Sequence, residues 1–249
     1  GLIATLFAPE PVRAGAIAAQ KLKDEPLWSL RGMFDAVAGP FIAFFKAHGP
    51  FALVMLLAIT LYRLPDFMRG PMVNPFFHDL GMSKDVIGLA RATVGLGTAL
   101  LGTIAAGMLS LRLGLMRTLM LGAVLQSLGV IANALLIFTG TDLLTFALVM
   151  GFDDFSLSFA AISLVAYMSS LTSLGYVATQ FALLSSVYAL AGKFLKGFSG
   201  LLVDGMAAHV GRMEAYALFF LGCGAIAIPS ILLFVLVARR QAGLIVNPT

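Results

Sequence analysis

Charge is what this sequence has least of. Charged side chains make up only 11% of its 249 residues, against 60% hydrophobic ones. A soluble domain carries about 25% charged residues, and less than half that share cannot clothe a water-facing surface. Cysteine is nearly absent too. A lone Cys223 in an apolar segment excludes a disulfide framework and a thiolate metal site. The three histidines, His48, His78 and His209, have no metal-ligand spacing, so neither metal nor cofactor is expected. No HExxH, P-loop or GxSxG pattern occurs, and no enzyme is expected. The net charge of +4 and a pI near 9.4 do not point to nucleic acid, because the basic residues fall between apolar runs instead of forming a patch.

What the chain has is long apolar runs, with a mean hydropathy of +0.99. A helix needs about 20 apolar residues to cross a hydrocarbon core about 30 Å thick. Six segments qualify: 51–72, 86–109, 118–138, 143–170, 178–206 and 214–238. They are too long, and too far from period-two alternation, for barrel strands. The expected fold is all-α, an integral membrane six-helix bundle over residues 51–240. Arg13, Lys21, Lys23, Arg31 and Lys46 precede the first span, Arg112 and Arg117 follow the second, and Arg239 and Arg240 follow the sixth. Positive residues gather on the cytoplasmic side, which places both ends of the chain there, with 241–249 as a cytoplasmic tail. Residues 27–46 are too interrupted to span and read as an amphipathic helix lying on the membrane face. The chain starts at Gly1, and GLIATLF runs directly into APEPVRAG. That stretch reads as the end of a preceding membrane helix, so residues 1–50 are expected to link this bundle to an earlier part of a longer protein.

Seven charges nevertheless fall well inside the spans, away from their ends: Arg63 and Asp66, Arg91, Asp153 and Asp154, and Lys193 and Lys196. On an insertion scale each costs about 2.5–3.5 kcal/mol at mid-helix, so they are expected to face a wet cavity, pair with one another or snorkel. Their placement repeats: two charged spans then an apolar one, twice over. This fits two inverted three-helix repeats with the third helices outside, against lipid. Asp153 lies about 15 Å into its span, and a carboxylate held away from water there suits a proton carrier. A purely structural ion pair is the competing reading. Neighbouring Asp153 and Asp154 point about 100° apart on a helix, so they cannot share one face. Arg63 and Asp66 stand three apart, next to Pro65, and can pair; Lys193 and Lys196 share the same spacing. Lys196 is close enough to the far end of its span to snorkel, and Arg69 sits near the edge of the first span. Ser156 and Gln180 are candidates for hydrogen bonding a solute, with helix–helix contact as the alternative. Gly95, Gly97, Gly102 and Gly107 read as close-packing positions. A pair of catalytic aspartates, Asp66 with Asp153, is disfavoured by the lysines and the missing glycine context.

PEPVR (9–13), DLGMSKDVIG (79–88), LRLGLMR (111–117), GFDDF (151–155), ATQFALLSS (178–186) and GFSGLLVD (197–204) follow in an order that resembles the C-terminal half of an AmpG-type muropeptide permease. That family lies in the major facilitator superfamily. The resemblance extends over essentially all of the chain, and ATQFALLSS is its most specific element. It implies a proton-coupled symporter of the bacterial inner membrane that imports anhydromuropeptides (GlcNAc-anhydromuropeptide among them) for cell-wall recycling. Two six-helix halves would rock about a central cavity, and the partners would be the bilayer, protons and a missing N-terminal half. It makes these spans helices seven to twelve, with Asp66, Asp153 and Lys193 near the cavity. Two departures stand out. SLSFA follows the acidic motif where the family is glycine-rich, and Arg91 replaces an uncharged polar residue. Another solute of the same superfamily, or a six-helix scaffold with structural ion pairs, stays open as an alternative.

Overall fold

The computed structural model describes residues 41, 42, 44–172 and 177–246, with side chains for all of these except 177, 178 and 241–246. The lead-in expected to hold the interfacial helix therefore lies mostly outside the described residues, apart from a short helical stretch ending in a turn at Gly49 and Pro50. Six helices are long and apolar enough to span a membrane: α1 (Phe51–Asp79), α2 (Lys84–Leu113), α3 (Leu115–Thr139), α4 (Leu143–Leu171), α5 (Thr179–Val210) and α6 (Arg212–Arg240). No strand occurs among the described residues. The helical piece Ala227–Val246 carries α6 past residue 240, so the expected tail is helical to Val246.

The first helix is longer than its sequence predicts. Its apolar run stops at residue 72, yet α1 passes through Pro65, Pro71 and Pro75 to Asp79. Proline removes a backbone donor and loosens the preceding turn, which membrane helices tolerate when neighbours satisfy the freed groups. Two neighbours donate to carbonyls three residues before a proline, in the loosened turns: Gln126 Nε2 reaches Tyr62 at 3.0 Å and Ser199 Oγ reaches Met68 at 2.8 Å. A third, Ser230 Oγ, reaches Ala58 at 3.2 Å, away from any proline.

Contacts between helices repeat with a period of three. The first helix packs on α5 and α6, while α4 packs on α2 and α3; α3 and α6 meet each other. The joints repeat as well. One glycine with positive φ links α2 to α3 (Gly114, φ 85, ψ 159), and another links α5 to α6 (Gly211, φ 97, ψ 160). Each opens a Gly-x-Met sequence, Gly114 to Met116 and Gly211 to Met213, a match too short to stand out before the backbone angles are known.

The third helices are not the outer ones in this bundle. Half or nearly half of the most apolar window of α1, α3, α4 and α6 is buried (39–50%), against 17% for α2 and 11% for α5. Low charge made α3 and α6 look lipid-facing. An apolar helix fits equally well against other helices, since lipid tails are as apolar as leucine, and Gly122, Gly129 and Gly224 let α3 and α6 approach their neighbours closely. Of the glycines expected to close-pack on α2, Gly95 and Gly102 face α4, whereas a Cβ at Gly97 or Gly107 would meet nothing within 4 Å.

Two apolar clusters fill the bundle. One gathers Phe76, Phe77, Phe146, Tyr216 and Phe220 at the end where α1 finishes. The other gathers Met55, Tyr62, Tyr167, Leu184 and Phe234 toward the opposite end. Between Tyr62 and Val73 on α1, and between Met150 and Ala160 on α4, lies a polar layer.

Candidate functional site: a charged layer across the bundle

Asp153 is 5% exposed and is bonded not to a lysine but to Arg69, which is 6% exposed. Their depths agree. Asp153 is ten residues into α4 and Arg69 ten residues short of the end of α1, so each sits about 15 Å from the same end of the bundle at 1.5 Å per residue. The sequence places Arg69 near the membrane edge because the apolar run of the first span stops at residue 72. The seven further residues of α1 move it to mid-helix. A signal existed in the sequence: Arg63, Asp66 and Arg69 continue one i, i+3 series.

Arg69 also approaches Asp66, with Nε 3.8 Å from Oδ1, and Arg63 Nη2 lies 3.3 Å from Asp66 Oδ2. Arg63 sits over the Phe67 and Tyr188 rings, 5.8 and 6.0 Å from their centres. A chain of alternating charge, Arg63–Asp66–Arg69–Asp153, thus crosses from α1 to α4. Because a guanidinium contacts both Asp66 and Asp153, the two carboxylates meet across it; they are not arranged like two aspartates sharing a proton. Gly129 of α3 closes the back of the site: a Cβ there would lie 3.2 Å from Asp153 Oδ1 and 3.1 Å from the Ser156 Cβ.

Two clefts open from this layer. A pocket of about 180 Å³ is lined by Arg69, Gly70, Arg91, Met150, Asp153 and Asp154, among others. A wider one of about 590 Å³ is lined by Asp66, Phe67, Gly70, Pro71, Lys193, Lys196 and Gly197. Gly70 borders both and is exposed, with open space where a Cβ would stand. Arg91 begins a π-helical stretch, Arg91–Gly95, and donates from Nη2 to Asn74 Oδ1 at 2.7 Å. Such stretches recur at functional sites; here the turn next to Gly95 admits Asp154, whose Oδ2 lies 2.7 Å from where a Gly95 Cβ would be. Lys193 and Lys196 occupy the last turn of the helical piece Val177–Lys196, just before α5 breaks at Gly197 and Phe198. Lys196 is therefore at mid-helix, fourteen residues short of Val210, and not at a surface to which it can snorkel.

Of the residues singled out from sequence, Arg63, Asp66, Arg91, Asp153, Asp154 and Lys193 line these clefts or pair with residues that do. Ser156 and Gln180 are buried and line neither; Ser156 donates to its own helix at Phe152, 2.7 Å away. Sequence reasoning missed Arg69, Gly70 and Asn74. Asn74 continues the face that starts at Arg63 through spacings of three and four.

No protein-family model matches the chain. Among curated proteins it is 30% identical to the AmpG 4 protein of Rickettsia felis over 207 residues, covering 82% of this chain and 50% of that protein. It is 31% identical to the AmpG 4 protein of Rickettsia conorii, over 72% of this chain and 42% of that one. It is 29% identical to the anhydromuropeptide permease of Escherichia coli K12 over 240 residues, which is 96% of this chain and 44% of that protein. The chain spans about half the length of these curated relatives. Six apolar spans and these relatives identify a multi-pass membrane protein. Over most of its length the chain is homologous to the AmpG-type permeases, and it corresponds to about half of such a protein.

Proposed function

We propose that this chain is the C-terminal six-helix half of a proton-coupled symporter of the major facilitator type. Its solute is an anhydromuropeptide brought across the bacterial inner membrane, and both ends of the chain lie in the cytoplasm. Residues 1–50 then link it to the N-terminal half. The Escherichia coli relative's name supports the solute class. The observation that carries the reading is the charged layer, which opens through two clefts meeting at Gly70. These face the flank of α2 and α5, the two least covered helices. Asp153, held by Arg69 at mid-depth, is the residue to which we assign the proton; Asp66, Asp154 and Arg91 border the solute path.

A structural scaffold is the second reading, and the buried Arg69–Asp153 pair favours it. Against it, Lys193 and Lys196 form no ion pair among the described residues, and a scaffold gains nothing from unpaired charge at mid-membrane. Uptake of labelled GlcNAc-anhydromuropeptide by the full-length protein tests the proposal. Wild type should accumulate it in a manner abolished by a protonophore, and Asp153→Asn should lower accumulation at least about tenfold, as removal of a proton-transfer group does. Uptake by Asp153→Asn equal to wild type would remove Asp153 from the mechanism.

A further inference from the structure

Charge around the two clefts does not balance. Five basic side chains, Arg63, Arg69, Arg91, Lys193 and Lys196, stand against three acidic ones, Asp66, Asp153 and Asp154, a surplus of two positive charges. The arginines are engaged: Arg63 with Asp66, Arg69 with Asp66 and Asp153, and Arg91 with Asn74 beside Asp154. Asp66 borders the same cleft as the lysines but is taken up by two guanidinium groups. The surplus is therefore Lys193 and Lys196 themselves. They project from one face of α5, three residues apart, into the wider cleft. An ammonium deep in a membrane protein is retained where it meets an opposite charge or a polar path.

We propose that Lys193 and Lys196 bind a pair of carboxylates on the solute. Preference for a doubly negative solute then resides in α5, apart from the Arg69–Asp153 pair. This rests on the transporter reading for its physiological solute, but the site itself is an anion site whatever crosses the membrane.

The test uses glutarate and its uncharged diamide, glutaramide, added to the purified full-length protein at matched ionic strength, with the thermal midpoint as readout. Glutarate should raise the midpoint in a saturable way and glutaramide should not. Lys193→Gln and Lys196→Gln should each weaken the glutarate constant about tenfold, the effect of one charge-assisted contact. The double substitution to arginine should keep most of it. No glutarate effect on wild type, or an equal effect on the glutamine variants, overturns the proposal. So does a fall in the ligand-free midpoint of the glutamine variants with no glutarate response, because the lysines would then be pairing with carboxylates elsewhere in the protein. Saturable glutarate binding without muropeptide uptake would instead retain the anion site and sink the solute assigned above.

Discussion

Arg69 is the residue on which the polar layer turns. It contacts Asp153 on another helix and Asp66 on its own, and it is nearly fully buried. Removing one partner of a buried pair leaves an uncompensated charge and costs about 3–5 kcal/mol, while replacing both with apolar groups is often neutral. Arg69→Met should therefore sharply lower the thermal midpoint of the protein in detergent, and Arg69→Met with Asp153→Leu should recover most of the loss while abolishing uptake. Equal midpoints for Arg69→Met and wild type would show that the pair carries no structural weight. At the α4 start the reasoning is simpler. Asp142, fully exposed in the loop before the span, accepts from Thr145 N at 2.9 Å and Thr145 Oγ1 at 2.6 Å. These bonds hold its carboxyl below the usual range. Its contribution is present above the unfolded-state value and is lost as pH falls through the lower folded one. Asp142→Ala should thus lower the midpoint at neutral pH, with the difference from wild type shrinking in strong acid. The Arg63–Asp66 pair was legible in the sequence because i, i+3 spacing is local. Arg69–Asp153 was not, since which helices meet is a tertiary fact.

The helices owe their arrangement to small residues at a few crossings. At Gly102 any side chain would strike the Phe155 carbonyl of α4, and at Gly151 a Cβ would come within 2.9 Å of Val94. Close backbone approach of this kind drives helix association in membranes. Gly102→Val should destabilise the bundle by separating α2 from α4, whereas Gly97→Val, with open space around it, should leave the midpoint within a degree or two of wild type, as changes away from packed sites do. Gly114 and Gly211 act through the backbone instead: φ 85 with ψ 159, and φ 97 with ψ 160, lie where only glycine sits easily. Alanine at either joint should cost about 1–3 kcal/mol, and similar losses at both would fit their matching geometry. Hydropathy revealed all six helices, because a run of twenty apolar residues is unmistakable. It set the end of α1 too early, at residue 72, because Asn74, Pro75, His78 and Asp79 beyond it are not apolar, whereas a membrane helix tolerates proline and continues past its most apolar run.

Across the whole molecule, charge placement located the polar layer correctly but assigned the covering helices wrongly. A charge reports that its surroundings are polar and says nothing about which apolar helix lies behind it. The exposed sides of α2 and α5 mix Arg91, Lys193 and Lys196 with Leu100, Leu101, Leu190 and Phe194, whereas the exposed sides of α3 and α6 present Leu128 and Leu232 at mid-helix. The first flank suits a water-filled path and the second suits acyl chains. Single cysteines distinguish the two, with Cys223 replaced by serine; it is the only cysteine in this chain and is 2% exposed. With any other cysteine of the expressed protein also replaced, Gly70→Cys and Lys193→Cys should react with a charged, membrane-impermeant thiol reagent. Leu128→Cys and Leu232→Cys should resist it until the protein is unfolded in SDS, because a thiol in hydrocarbon neither ionises nor meets the charged reagent. If the charged reagent modified all four positions at one rate, the layer would not be a confined path. If it spared Gly70→Cys and Lys193→Cys along with the other two, the clefts would be dry and the buried charges would serve structure alone.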